Sequence, residues 1–242
     1  MARIRVGIGG WVFAPWRGSF YPEGLKQAKE LDYASSRLSS IEINGTFYGA
    51  QKLSSFEKWH RETPADFVFS VKGTRYATYR TELGEAGPSV ERFFSTGVLA
   101  LKEKLGPILW QLPGNARFDA GRLEAFLQLL PKELEGLKIR HVFEAPHDSF
   151  ASQEALDLLR KYGVAVPMVD SEGRVLVAER TADFLYVRLR RAVEDEPAGY
   201  SPEALQEWAE KLKAAGVDCF VYFINGAKIR CPAAAQALIK LL

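Results

Sequence analysis

The sequence predicts an α/β fold, a TIM-type (β/α)8 barrel of parallel strands with its sixth helix short or missing, in a single domain over residues 1–242. Short runs rich in Val, Ile and Phe alternate with amphipathic helical patterns from one end of the chain to the other. The runs number eight. Parallel strands with right-handed crossovers close most naturally into a barrel when there are eight of them in roughly 250 residues. Seven of the runs end on polar side chains at their C-terminal tips, where such a barrel builds its site. An open doubly wound sheet is the alternative architecture for the same alternation.

The first strand is expected over residues 3–8, followed by an aromatic loop with Trp11, Phe13, Trp16, Phe20 and Tyr21 and a helix over 25–38. Gly7-Ile8-Gly9-Gly10 lacks the spacing of a dinucleotide loop, and no phosphate-binding P-loop is present. Strands over 40–44, 67–72, 107–111, 139–144 and 165–170 then alternate with helices over 54–62, 89–105, 120–130 and 152–162. Between Asp170 and Phe184 there is room for a turn and the short apolar run Val175 to Ala178, which is why the sixth helix is expected to be short or absent. A strand over 184–190, a helix over 201–215, a strand over 219–224 and a helix over 232–242 complete the pattern. Ser201-Pro202-Glu203 is a helix start by its cap, its proline and its acid. Gly163 and Gly216 stand where left-handed C-caps belong. Glu194-Asp195-Glu196-Pro197 reads first as a solvated acidic loop and second as a flap over the site.

With 47% hydrophobic and 26% charged residues the chain has the balance of a globular protein that buries a large core, which excludes disorder. A formal charge of +2 gives too weak an overall field to argue for nucleic acid or an anionic membrane surface. No apolar run approaches the ~18 residues of a membrane helix. The start Met1-Ala2-Arg3 enters a strand without a signal-like apolar segment, so a cytoplasmic location is expected. The two cysteines, Cys219 and Cys231, read as a reduced pair.

The strand Ile41-Glu42-Ile43-Asn44 has no stability reason to carry Glu42 and Asn44, because an unpaired charge among apolar groups costs several kcal/mol or more. Side chains alternate along a strand, so Glu42 and Asn44 share one face and the isoleucines the other. The same parity joins Lys72 to Ser70, Gln111 to Leu109, Glu144 to Val142, Asp170 to Met168, and Arg190 to Arg188 and Tyr186. These tips are expected to converge on the barrel axis. Three acids, Glu42, Glu144 and Asp170, then face three bases, Lys72, Arg188 and Arg190. Guanidinium forks and an ammonium suit a small anionic ligand or phosphate. Glu42 and Glu144 are the acid/base candidates, with Asp170 and with His147 as a proton shuttle or ligand. Asn44, Tyr48, Lys72, Gln111, Arg188, Arg190, Asn225 and Trp11 are the candidates for holding the substrate. The aromatic residues near the tips, Tyr76 and Tyr79 among them, divide evenly between packing and stacking on a sugar ring or nucleobase. No cofactor is expected. A metal held by Glu42, Glu144, His147 and Asp170 is a lesser option, and a purely structural ion network in the barrel interior is the bland one.

These segments together resemble the domain of unknown function 72, or YecE-like, family. The resemblance rests on Gly7-Ile8-Gly9-Gly10-Trp11, Phe20-Tyr21-Pro22, Ile41 to Tyr48, Phe69-Ser70-Val71-Lys72, Gly106 to Pro113, Glu144 with His147 and Ser149, Asp170, Tyr186-Val187-Arg188-Leu189, and Tyr200-Ser201 before Trp208. It implies a TIM-type barrel and brings no established reaction. This chain departs from the family at Thr78-Tyr79, Pro146, Arg190-Arg191 and Ile224-Asn225-Gly226, which makes it a divergent member. The functional expectation is a hydrolase or isomerase using carboxylate acid/base chemistry on a small anionic or polyhydroxylated substrate, phosphorylated ones included. The alternative is a protein that binds nucleic acid or a phosphorylated ligand without catalysis, by fold analogy with barrel DNA-repair endonucleases.

Overall fold

A computed structural model describes residues 2–173 and 176–242, so the start of the expected Val175 to Ala178 run lies outside the described residues. Eight strands rich in β-branched and aromatic residues form one parallel sheet: β1 (Ile4–Gly9), β2 (Ser40–Ile43), β3 (Val68–Lys72), β4 (Leu105–Gln111), β7 (His141–Glu144), β8 (Met168–Asp170), β9 (Phe184–Leu189) and β10 (Asp218–Phe223). Their order is β7-β4-β3-β2-β1-β10-β9-β8, and every neighbouring pair is parallel. The two ends of that order meet just before β8. There Phe143 N donates to Ala165 O and Ala165 N to His141 O, both at 2.9 Å, in a parallel bridge between Val142 and Ala165. The expected TIM-type barrel is the fold. A small hairpin of β5 (Glu133–Leu134) and β6 (Leu137–Lys138) stands apart from it.

The outer layer contains α1 (Glu30–Ser35), α2 (Gly45–Tyr48), α3 (Leu53–Arg61), α4 (Arg75–Thr78), α5 (Gly87–Ser95), α6 (Ala120–Gln128), α7 (Gln153–Tyr162), α8 (Pro202–Ala214) and α9 (Cys231–Leu241). Ser152 and Ser201 cap α7 and α8 by accepting from Ala155 N at 3.3 Å and Ala204 N at 3.2 Å. Among the described residues no helix lies between Asp170 and Phe184, as the short spacing predicted. Nor is any helix there long and apolar enough to cross a membrane.

Two expected helices are shorter than predicted. The 89–105 pattern is α5 followed by a 3-10 segment, Val98–Lys104, because Gly97 turns left-handed (φ 105°) where a Cβ would sit 2.8 Å from the Leu53 side chain. The 25–38 pattern is α-helical only from Glu30 to Ser35, since Gly24 (φ 77°) and the bond from Leu25 N to Pro22 O hold its start in a turn.

Strand parity divides the core in two. Val6, Ile41, Val71, Trp110, Phe143 and Val187 pack in the large cluster shared with the helices. Val68, Leu109, Val142, Phe184, Phe220 and Tyr222 belong to a second cluster that fills the barrel itself. Inward-facing side chains therefore form a floor on which the polar tips of the same strands rest.

Candidate functional site at the strand tips

Glu42 on β2 is fully buried. Its Oε1 accepts from Arg188 Nη2 at 2.9 Å and its Oε2 from the Tyr186 hydroxyl at 2.6 Å, both on β9. The other terminal nitrogen of Arg188, Nη1, donates to Glu144 Oε2 on β7. One guanidinium thus ties together two carboxylates from non-adjacent strands, the fork geometry for which arginine is suited. Glu144 Oε1 accepts further bonds from Gln111 Nε2 at 3.0 Å and Arg190 Nη2 at 2.9 Å.

Burial alone would lower the pKa of Arg188, but the charges of Glu144 and Glu42 outweigh it and raise the pKa above the ordinary arginine value. Burial, then the Glu42 charge, holds the Tyr186 phenol well above its usual range. Arg188 Nε is buried with no hydrogen-bond partner among the described residues.

Lys72, at the end of β3, is only 7% exposed. Its Nζ lies 4.0 Å from the centre of the Phe47 ring, and among the described residues no acceptor or carboxylate lies within bonding distance of it. Burial and then the Arg188 charge push its pKa down to about 8, against the opposing pull of Glu42 and Glu144. Phe47 is held there by α2, whose Thr46 Oγ1 donates to Lys72 O at 2.6 Å. Asn44 precedes α2 and donates from Nδ2 to Glu42 O at 3.3 Å. Tyr48, at the end of α2, is 66% exposed.

Below the carboxylates, the Tyr222 ring lies 5.2 Å from that of Tyr186, and the Tyr222 hydroxyl bonds to Ser40 Oγ at 2.7 Å and Ser70 Oγ at 2.6 Å. Neither hydroxyl contact was singled out from the sequence. The alternation Phe184-Leu185-Tyr186-Val187-Arg188 was the available signal, since it places Tyr186 directly below Arg188 on the inward face.

The structure brings together Glu42, Lys72, Gln111, Glu144, Arg188 and Arg190, with Asn44 beside them. Three other sequence candidates lie elsewhere, and a fourth, His147, lines a small pocket together with Glu144. Asp170 does not point to the axis, because its parity partner Met168 packs in the helix-facing layer. It instead lines a cleft with Tyr200, Trp208 and Lys211, 3.7 Å from Arg191 Nη1, and burial raises its pKa against the pull of Arg191. His147 is a helix cap, its Nδ1 accepting from Ser149 N at 3.2 Å. Trp11 packs edge-on against Trp59 at 5.1 Å and against Phe69 at 6.3 Å on the helix-facing side. Asn225 is exposed, and its backbone oxygen accepts from Cys231 Sγ. The proposed metal set is therefore not assembled, and among the described residues no three His, Cys, Asp or Glu side chains come together as a ligand set.

The chain is 30% identical over 115 residues to the UPF0759 protein YunF of Bacillus subtilis (strain 168), a match covering 46% of this chain and only 40% of YunF. A DUF72 family protein of Thermotoga maritima superposes with a TM-score of 0.77 at 25% identity, over 98% of this chain and 96% of its own. A DUF72 family protein of Enterococcus faecalis does so with 0.71 at 14% identity, over 100% and 99%, and shows the fold alone. The family model described as protein of unknown function DUF72 matches residues 5–242, nearly the whole chain, and the chain belongs to that family.

Proposed function

We propose that the strand tips form an enzyme site of the isomerase or hydrolase class that binds a small anionic substrate and moves a proton on it. The observation that carries this reading is Lys72: a nearly buried ammonium facing an aromatic ring, with no carboxylate of its own among the described residues. Lys72, Arg188 and Arg190 bring three positive charges to the two negative ones of Glu42 and Glu144. A phosphate or carboxylate of the substrate supplies the counter-charge that Lys72 lacks among the described residues.

A pKa of about 8 also puts Lys72 close to the ionisation that general acid/base work needs near neutral pH. In both reaction classes a base takes a proton, from a substrate carbon or from an attacking water, and an acid returns one. Lys72, charged where it holds the anion, is the acid in this reading, and Glu144 takes the part of the base. Glu144, itself buried, is oriented by Gln111 and Arg190. Glu42 is fully enclosed between Arg188 and Tyr186, so it acts as a positioning residue through Arg188.

Thermal unfolding in the presence of inorganic phosphate, sugar phosphates, nucleotides and divalent metals, with and without chelator, tests the binding step. A ligand at 100 times its Kd adds about 2.7 kcal/mol of stability, a shift of several degrees for a domain of this size. An anion that raises Tm in the native protein and not in Lys72→Met supports the reading. No response to any anion at millimolar concentration, or an undiminished response in Lys72→Met, overturns it.

A further inference from the structure

The most unusual surface of the molecule adjoins the tips. Tyr48, Tyr76 and Tyr79 are 66%, 60% and 51% exposed, although each carries a ring that folding ordinarily covers. Tyr48 and Tyr79 both pack edge-on against Phe47, at 5.1 and 5.3 Å, the ring over which Lys72 Nζ sits. Tyr48 and Tyr76 also line a groove of about 550 Å³ between α2, α4 and the start of α5. That volume is in the range of small-ligand sites. Its polar lining includes Gln51, Thr74, Ser89 and Arg92, and among the described residues lining it there is no carboxylate. Thr46 belongs to the groove wall and to the lysine strand at once, since its hydroxyl donates to Lys72 O. The short helix α2 thus serves both places, with Phe47 facing the lysine and Thr46 and Tyr48 lining the groove.

We infer that this groove is a ring-binding subsite, and that the substrate class is a ring-bearing phosphate ester whose ring lies against Tyr48 and Tyr76 while its phosphate reaches Lys72 and Arg190. The phosphate half rests on the function proposed above; the ring half stands on the groove alone. Tyrosine faces suit the ring. They offer a large rigid apolar area and a π-face on which a base or the axial C–H face of a sugar packs, with a hydroxyl left at the water boundary. Arg92 in the wall and Arg75, whose guanidinium lies 5.5 Å from the Tyr76 ring centre, give the rim a positive character that favours an anionic ester over a cationic ring compound. Nucleoside and sugar phosphates share this chemistry, and titration separates them.

Isothermal titration calorimetry with inorganic phosphate, adenosine monophosphate, glucose 6-phosphate, adenosine and methyl glucoside is the test, on the native chain, Tyr76→Ala, Ala50→Trp and Lys72→Met. Tyr76 and Ala50 are exposed, so neither variant threatens the fold, and the tryptophan fills the groove from its loop. One of the two esters is expected to bind at least tenfold tighter than inorganic phosphate. That advantage should fall roughly five- to tenfold in Tyr76→Ala and vanish in Ala50→Trp, while affinity for inorganic phosphate stays the same. Lys72→Met should weaken the ester and inorganic phosphate alike.

Esters that bind no tighter than inorganic phosphate, or an advantage that survives both groove variants, overturn the ring subsite and leave the anion site standing. If inorganic phosphate does not bind but adenosine or methyl glucoside does, and Ala50→Trp abolishes it, the anion reading falls and the ring subsite holds. Binding by none of the five compounds overturns both.

Discussion

Two regions of the barrel interior are made from the same strands two residues apart. At the lower end stand Val68, Leu109, Val142, Phe184 and Phe220, all in the apolar interior cluster. One inward step along those strands brings Ser70, Gln111, Glu144, Tyr186 and Tyr222, and the next on β3 and β9 brings Lys72 and Arg188. The interior thus grades from hydrocarbon through hydroxyls to charge along its axis. The apolar end excludes water, which strengthens every charge interaction above it. The hydroxyls of Tyr186 and Tyr222 let the transition occur with their hydrogen bonds made. The lower end is apolar and the upper end charged, and variants at each end should separate what the two contribute.

The largest stability effect is expected at the upper end. Arg188→Met removes the shared partner of two buried carboxylates and leaves Glu42 without its cation while Glu144 keeps Arg190, a loss of about 3–5 kcal/mol measured by urea unfolding. A loss under about 1 kcal/mol would mean that the carboxylates are not held by this guanidinium. Phe220→Ala at the lower end should cost a similar amount, about 3–5 kcal/mol, by leaving a cavity. The two should then part: phosphate affinity, compared where both variants remain folded, is lost in Arg188→Met and retained in Phe220→Ala. Equal loss of binding in both would erase the distinction between the ends.

Between them, Tyr222→Phe removes the hydroxyl that Ser40 and Ser70 share. Ser40 keeps its bond to Val68 O at 2.6 Å, so the cost falls mainly on Ser70, about 1–2 kcal/mol. Ser70→Ala made in the same protein should recover part of it. If the double variant is as unstable as the sum of the singles, the hydroxyls do not form one unit.

Much of this gradient was legible in the sequence, and the reason is local. On β2 the inward face holds Ser40 and Glu42 and the outward face Ile41 and Ile43, so polarity itself says which face is which. On β8 that sign is missing. Val169 and Met168 are both apolar, so parity alone cannot tell which face belongs to the barrel interior, and Asp170 was assigned to the wrong one. The inward Ala165, which the closing bridge reveals, supplies the phase only in three dimensions. Trp11 was equally ambiguous, because an aromatic ring serves a core and a binding wall equally well. The break at Gly97 depends on how near Leu53 comes, a contact across more than forty residues.

The smallest effect, and the sharpest probe of the upper end, is the pH dependence of Lys72. Its pKa is about 8 in the folded chain against an ordinary 10.5. Below pH 8 the ammonium is charged in both the folded and unfolded chains, and the folded chain bears the full cost of burying it. As pH rises from about 8 towards 10.5, the folded chain releases the proton while the unfolded chain still holds it. By linkage the stability contributed by this group rises through that window. Lys72→Met has no such proton. At pH 7 without ligand the variant should therefore be the more stable, by on the order of 1 kcal/mol, and its advantage should shrink towards pH 10. The buried Tyr186 and Tyr222, whose phenols burial holds above their usual range, titrate alike in both proteins and cancel in the difference. Saturating phosphate should reverse the order at pH 7, since an anion beside the native ammonium supplies the partner it lacks. A difference that stays flat from pH 7 to pH 10, or a variant that phosphate stabilises as much as the native chain, would show that Lys72 is an ordinary solvated lysine and not the cation on which the site depends.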